Sequence, residues 1–178
     1  LLGSATNQLG IVVDLDLRPE GKNGPMSRTI ESHREYAQRW ASTWERQAAV
    51  RARPIGEGSL ADSARALFDE LAYGGVSESD VRDIRLLKAR MENERLPRGI
   101  EPARHVKLGP GGLTDVEWTI QLIQMRAGMN NPALRTPSTT QAILSAREHE
   151  LISAQDAQTL LDAWDMATRI RAANTLAV

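Results

Sequence analysis

The sequence predicts a mainly helical protein with a small β part near its start, and three observations support this fold class. Residues 11–17 alternate between apolar and polar side chains, as a half-buried strand does. Most of the remaining chain repeats apolar residues every three or four positions, as amphipathic helices do. Glycine and proline separate these segments. We therefore expect one or two strands followed by a helical bundle, in a chain of 178 residues that is long enough for one sizeable core.

The predicted strand has an apolar face and an acidic face. Its apolar face comprises Ile11, Val13, Leu15 and Leu17. Asp14 and Asp16 alternate with them, so both carboxylates would point the same way and could share a divalent cation. Arg18 could bind a phosphate beside them or simply neutralise the acids. An exposed strand face that only keeps the protein soluble is the alternative. Pro19 ends the strand, and residues 26–30 could return as a second short one.

The rest of the chain shows the sequence patterns of helices. Tyr36, Trp40 and Trp44 follow one another at intervals of four and predict an aromatic stripe on a helical region that ends before Pro54. Further helices are expected over about residues 60–71, 81–91, 116–127 and 138–150, and from residue 153 onwards. The bundle is expected to begin near residue 59. Lys107, followed by glycines 109, 111 and 112, could present a charge and free amides to a phosphate at the start of a helix, or could merely form a turn.

Composition narrows the classes of function. The 22 basic residues are 19 arginines and three lysines, interleaved with 23 acidic residues along the helices, which does not favour a nucleic-acid binder. Cysteine is absent, so disulfides and thiolate metal sites are excluded, as is usual in a reducing cytoplasm. No apolar run approaches the length of a membrane span. The chain starts without Met and stops inside a helical pattern, so we expect it to be a segment of a longer protein.

Three segments resemble a known family when they are taken together. They read DLDLRPEGKNG from Asp14, YAQRWASTWERQAAVRARPIGEG from Tyr36 and KLGPGGLTDVEWTIQLIQM from Lys107. In this order and at this spacing they resemble the glutamine synthetase adenylyltransferases, whose units show V-D-x-x-L-R-P-x-G, W-E-x-Q-A-x-x-x-A-R and K-x-G-x-G-G-x-x-D-I-E-F. The resemblance covers nearly the whole chain.

The resemblance implies a fold and a division into domains. Residues 1–58 would be the C-terminal part of a polymerase-beta-type nucleotidyltransferase domain, of which one or two strands are present. Residues 59–178 would form a helical bundle domain that is truncated at its C-terminus.

It also implies an activity and its residues. The family transfers AMP from ATP to a tyrosine of glutamine synthetase and so controls nitrogen assimilation. Asp14 matches the third catalytic carboxylate, whose two companions lie upstream in a G-S-D-x-D segment, so Asp14 is the expected catalytic residue and a ligand of Mg²⁺. Asp16 is the second expected metal ligand, although many relatives have another residue there. Arg18 and Lys107, with the two glycines at 111 and 112, are the expected nucleotide-binding residues.

Two alternatives to the transferase remain open. The family has two homologous halves, and the second removes AMP by phosphorolysis. The T-D-V-E-W sequence at residues 114–118 is more similar to the transferase half, in which Thr or Ala precedes D-I-E, than to the R-E-I-E-F of the removing half. A non-catalytic helical interaction module is the other alternative. The resemblance implies glutamine synthetase and the PII nitrogen-signalling protein as partners, no nucleic acid, no membrane and a cytoplasmic location. The segment alone is expected to be inactive, because the upstream carboxylates are missing from it.

Overall fold

A computed structural model describes residues 14–176, over which all regular secondary structure is helical. There are short 3-10 turns at Gly21–Asn23, Pro102–Arg104 and Pro132–Leu134. The described α-helices, in chain order, are α1 (Ile30–Arg39), α2 (Thr43–Ala49), α3 (Ser59–Tyr73), α4 (Glu78–Arg95), α5 (Leu113–Ala127), α6 (Thr139–Glu148) and α7 (Ala154–Leu176).

The prediction of a polymerase-beta-type strand portion is wrong for the residues that the structure describes. No strand is found from residue 14 to residue 176, and the predicted second strand at 26–30 leads directly into helix α1. A strand must pair its backbone with a neighbour. Here the amide of Asp16 donates to its neighbour Asp14, and the side chain of Arg18 binds nearby carbonyls. Such local side-chain contacts compete with a sheet ladder. Ile11 and Val13 lie outside the described residues.

The chain divides into two compact units, Leu1–Ala41 and Ser42–Val178. In unit 1, the hydroxyl of Thr29 accepts a hydrogen bond at 3.1 Å from the amide of Ser32 and so caps the start of α1. The guanidinium of Arg28 contacts the carboxylate of Glu20 and lies 5.6 Å from the centre of the Tyr36 ring. A turn followed by one capped helix therefore makes up the described part of unit 1.

The aromatic stripe does not follow one helix, because the chain breaks between α1 and α2. Ser42 and Glu45 begin the second helix with a capping box, in which the Glu45 carboxylate accepts from the Ser42 amide at 2.8 Å. Trp40 is 71% exposed and Trp44 is 44% exposed, while Tyr36 is half-buried. Neither tryptophan is a fully buried core residue. The stripe is therefore split at the helix boundary.

Unit 2 has two buried clusters that share helix α5. In one cluster, α5 packs against α6 and α7 through Val116, Ile120, Leu134, Ala142, Ile143, Ala146 and Ala157. In the other, α5 meets α2, α3 and α4 through Ala49, Val50, Ala72, Tyr73, Ile84 and Met125. Met125 and Ile143 are fully buried. Helix α5 is thus the central helix of unit 2, and it begins directly after the glycine-rich segment of residues 109–112.

Most helix ends in unit 2 agree with the predictions. Helix α3 ends just before Gly74 and α5 ends just before Gly128. Helix α6 begins after Ser138, whose hydroxyl accepts from the amide of Gln141. The division of the sequence into functional domains at residues 58 and 59 stays a prediction. Across the described residues, none of the helices combines the length and the apolar composition needed to cross a membrane.

Candidate functional site

The acidic pair of unit 1 lies on an exposed turn. The amide of Asp16 donates to Oδ1 of Asp14 at 2.8 Å, and both residues are exposed. The Asp16 carboxylate lies 3.7 Å from the guanidinium of Arg18 and 3.6 Å from the ammonium of Lys22. The three predicted residues of this segment are therefore together in space. They are brought together by a turn and not by a strand.

The guanidinium of Arg18 closes this turn. Its Nε donates to the carbonyl of Gly24 at 3.1 Å and its Nη2 to the carbonyl of Lys22 at 3.2 Å, while Nη1 contacts the carbonyl of Leu15. Three of the five donors of this side chain thus have backbone partners. The role predicted for Arg18 in nucleotide binding stays a prediction, and the geometry shows that Arg18 also stabilises the loop next to Asp14.

The role predicted for the acidic pair as ligands of Mg²⁺ stays a prediction. Carboxylate oxygens are the ligands that Mg²⁺ prefers, and it takes an octahedral set of them together with water. Over residues 14–176, no three acidic or histidine side chains form a group able to hold a metal ion. Asp14 and Asp16 are therefore suitable ligands in chemistry and exposure, but they need further ligands to complete a site.

The glycine-rich loop of unit 2 folds back tightly against the residues before it. The amide of Gly109 donates to the carbonyl of His105 at 2.7 Å. A Cβ atom at Gly109 would lie 2.1 Å from the carbonyl oxygen of Pro102, so no other residue fits there without backbone movement. Gly111 has a φ of +72°, which favours glycine. The close approach of the backbone at Gly109 and the positive φ at Gly111 therefore account for these glycines without a ligand.

The amides of this loop already have partners. The amide of Gly111 donates to Oδ2 of Asp115 at 2.7 Å, and the amide of Gly112 donates to the carbonyl of Gly109 at 2.9 Å. The side chain of Lys107 is exposed and makes no hydrogen bond or ion pair within the described part of the chain. Binding of a phosphate by this loop stays a prediction, and its most accessible group is the Lys107 ammonium.

The first turn of α5 carries a network of charges that spacing alone did not reveal. The ammonium of Lys88 lies 2.5 Å from Oδ1 of Asp115 and also contacts Glu92. Burial opposes the charge of Lys88, but the two carboxylates outweigh it and raise the pKa of this lysine. Arg51 at the end of α2 contacts Glu117. The spacing of Lys88 and Glu92 predicts an ion pair within one helix. The contacts of Lys88 with Asp115 and of Arg51 with Glu117 arise only from the packing of different helices.

Thr114 and Glu117 have the spacing of a capping box, but they do not form one at the start of α5. The helix begins one residue earlier than Thr114, after Gly112. The Thr114 hydroxyl donates to the carbonyl of Lys107 at 2.6 Å, and Glu117 pairs with Arg51 instead of capping the helix. The side chains of Thr114, Asp115 and Glu117 therefore anchor the loop and neighbouring helices to the first turn of α5.

Comparison with protein families shows two matches along the chain. Residues 1–67 match the family described as glutamate-ammonia ligase adenylyltransferase. Residues 85–173 match the family described as GlnD PII-uridylyltransferase. The first match includes the acidic turn, and the second includes the glycine-rich loop and helix α5.

Curated relatives match nearly the whole chain. A bifunctional glutamine synthetase adenylyltransferase/adenylyl-removing enzyme of Leifsonia xyli subsp. xyli is 48% identical over 98% of this chain. Enzymes of the same name are 50% identical over 90% of the chain in Streptomyces coelicolor and 45% identical over 99% in Mycolicibacterium smegmatis. The chain spans 16–18% of the length of these relatives.

Proposed function

This chain belongs to the family of bifunctional glutamine synthetase adenylyltransferase/adenylyl-removing enzymes, and on that premise we propose that it is part of a nucleotidyltransferase that acts on glutamine synthetase. The proposed reaction transfers AMP from ATP to a tyrosine of glutamine synthetase and regulates nitrogen assimilation. The observation that supports it most is the 48% identity to such an enzyme over 98% of the chain, which includes all three motifs.

The proposed role of Asp14 is to accept a proton. The tyrosine oxygen forms a bond to the α-phosphorus of ATP, and the bond between that phosphorus and the pyrophosphate oxygen breaks. Pyrophosphate leaves, and the proton of the tyrosine hydroxyl passes to the Asp14 carboxylate. Asp14 is exposed, and within the described residues its carboxylate accepts only the amide of Asp16, so it has lone pairs free for this step.

The remaining predicted residues hold the nucleotide in this proposal. Mg²⁺, held by Asp14 and Asp16 with ligands from elsewhere in the longer enzyme, would neutralise the triphosphate charge. Arg18 would keep the turn in place through its backbone hydrogen bonds and add a positive charge beside the phosphates. The Lys107 ammonium would bind a phosphate oxygen, while the glycines at 111 and 112 would let the loop approach closely.

The adenylyl-removing reaction is a second candidate because the names of the relatives include it. In that reaction phosphate releases AMP from the modified tyrosine. The T-D-V-E-W sequence of residues 114–118 favours the transferase half. We also propose a cytoplasmic location, and docking of glutamine synthetase or PII on the helical unit 2, whose arginines are interleaved with acidic residues.

The test uses the full-length protein that carries this chain. Incorporation of AMP from α-phosphate-labelled ATP into glutamine synthetase is measured for the unchanged protein and for Asp14→Asn, which removes the charge and keeps the shape. We expect the variant to lose roughly 10²-fold or more of the rate, as when a general base is removed. Asp62→Asn is the matched control, because Asp62 is an exposed carboxyl on α3, and it should keep full activity.

Three other outcomes would change the assignment. Full activity in Asp14→Asn would remove Asp14 from the mechanism. Phosphate-dependent release of AMP from modified glutamine synthetase, lost in Asp14→Asn and without incorporation, would assign the chain to the adenylyl-removing half. Neither reaction in the unchanged full-length protein would favour the non-catalytic interaction module.

A further inference from the structure

Unit 2 has a surface cavity that the proposed reaction does not use. It has a volume of about 240 Å³ and lies where the end of α2, the middle of α3 and the segment before α6 meet. Apolar atoms of Val50 and Phe68 form part of its wall. Its charged side chains are Arg53, Arg65, Asp69 and Arg135. Three guanidiniums therefore face one carboxylate around a single cavity.

One of the three guanidiniums is fixed by its surroundings. Nε of Arg135 donates to the carbonyl of Gly128 at 2.8 Å, and Nη2 donates to the carbonyl of Met129 at 3.0 Å. The guanidinium lies 5.7 Å from the centre of the Tyr73 ring. Its side chain therefore has little freedom left to lose when a ligand binds.

The only carboxylate of the cavity neutralises this arginine incompletely. Oδ2 of Asp69 lies 3.7 Å from Nη1 of Arg135, which is longer than a hydrogen bond. Asp69 also stands four residues after Arg65 on α3, where a helical ion pair would form, but its carboxylate lies beside Arg135 instead. One negative charge is thus shared among three positive ones.

The other two guanidiniums have no partner within residues 14–176. Neither Arg53 nor Arg65 makes a hydrogen bond or an ion pair there. Other arginines of the same region do, since Arg46 pairs with Asp80 at 3.3 Å and Arg51 contacts Glu117. Like charges that line one cavity repel each other, and an anion between them relieves this repulsion. The cavity therefore combines a fixed cation with two cations that are free to bind.

We propose that this cavity is a binding site for a phosphate group, held by Arg53, Arg65 and Arg135. A phosphate group carries about −1.5 to −2 charges at neutral pH, close to the excess of positive over negative side chains around the cavity. The planar fork of arginine matches two phosphate oxygens at once. The volume is smaller than the roughly 300–1,000 Å³ of sites for drug-sized ligands, so it fits a free phosphate or the phosphate end of a larger molecule.

Tyr73 also lines this cavity and brings no negative charge to it. Burial and the charge of Asp69, opposed by Arg135, raise the pKa of Tyr73 to about 12. Its hydroxyl stays uncharged at neutral pH and adds no negative charge to the cavity. The site shares no residue with the proposed transfer reaction, so the two proposals can fail independently.

The test measures binding of inorganic phosphate to the 178-residue chain by calorimetry at constant ionic strength. The test variant is Arg53→Gln combined with Arg65→Gln, which leaves the structural contacts of Arg135 intact. We expect its affinity for phosphate to fall by at least about tenfold, because two charged donors are lost. The matched control is Arg82→Gln combined with Arg85→Gln, which removes two exposed arginines of α4 that also lack partners among the described residues. This control should bind phosphate as the unchanged chain does.

The competing interpretation is that these are ordinary solvated surface arginines. It predicts no saturable binding of phosphate at millimolar concentration, or an equal loss in both double variants, and either result would overturn the proposal. Equal affinity for malonate, a dicarboxylate of the same charge, would overturn the assignment to phosphate. A thermal melt of each variant without phosphate checks that the chain remains folded.

Discussion

The side chain of Gln124 holds the segment before α6 onto the central helix. It is buried, and its Nε2 donates to the carbonyl of Leu134 at 2.6 Å and to the carbonyl of Thr136 at 2.8 Å. The substitution Gln124→Met keeps the length of the side chain and removes both donors. Packing is therefore nearly preserved, and the measured change reports the hydrogen bonds.

The size of the effect follows from the partners that the two carbonyls keep. The carbonyl of Leu134 also accepts from the amide of Thr136 at 2.9 Å, so it keeps one hydrogen bond in the variant. The hydrogen bond to the carbonyl of Thr136 is only partly buried, so water can replace it. Each lost hydrogen bond should therefore cost about 0.5–1.5 kcal/mol, and we expect Gln124→Met to lower the free energy of unfolding by about 1–3 kcal/mol. At about 2–4 °C per kcal/mol for a chain of this size, Tm should fall by roughly 2–12 °C.

Urea unfolding followed by circular dichroism gives the free energy, and calorimetry gives Tm. The matched control is Gln141→Met in α6, because Gln141 is exposed and its side chain makes no hydrogen bond among the described residues. An exposed change of this kind should stay within about 0.5 kcal/mol of the unchanged chain. If both variants unfold at the same urea concentration, the two hydrogen bonds of Gln124 do not contribute as argued.

Two further predictions concern pH and the glycine-rich loop. Burial alone would raise the pKa of Asp80, but hydrogen bonds from Ser77 and the charge of Arg46 outweigh it and lower that pKa below its usual 3.8. The stabilisation by this carboxylate is therefore present above pH 3.8 and is lost as pH falls through the lowered pKa. In urea unfolding, Asp80→Asn should be less stable than the unchanged chain at pH 7, and the two stabilities should converge in acid. Gly109→Ala should lower Tm more than Gly111→Ala. At Gly109 a Cβ atom would lie 2.1 Å from a backbone oxygen, whereas at Gly111 the substitution only imposes an unfavourable φ. Equal losses of Tm would contradict the tight fold of the loop.

The candidate site was predictable in part. Asp14, Asp16 and Arg18 lie near one another, since they are close together in the sequence and any local fold keeps them so, while their roles stay predictions. The strand that was expected to carry them is absent from the described residues. Alternation of apolar residues shows that a segment can pair as a strand, but pairing also requires a neighbour, which a single segment does not encode.

The sequence by itself determined the positions of most helices of unit 2. Glycines at 74 and 128 and the serine at 138 act on the backbone within a few residues, so their effect is visible without knowledge of the fold. The periodic apolar residues of α5 likewise showed that this helix is buried. These signals are local, because the hydrogen bonds that end a helix join residues four or five positions apart.

Only the tertiary structure decided which polar side chains meet. Gln47 and Gln121 are 74 positions apart and share a buried hydrogen bond of 2.9 Å, and Arg51 contacts Glu117 across 66 positions. The cavity of unit 2 likewise draws its three arginines from α3 and two separate connecting segments. Helical periodicity indicates which face of each helix is buried, but the angle and register at which two helices pack depend on all the side chains between them. Contacts between distant polar residues therefore follow from the packing and not from any one segment of the sequence.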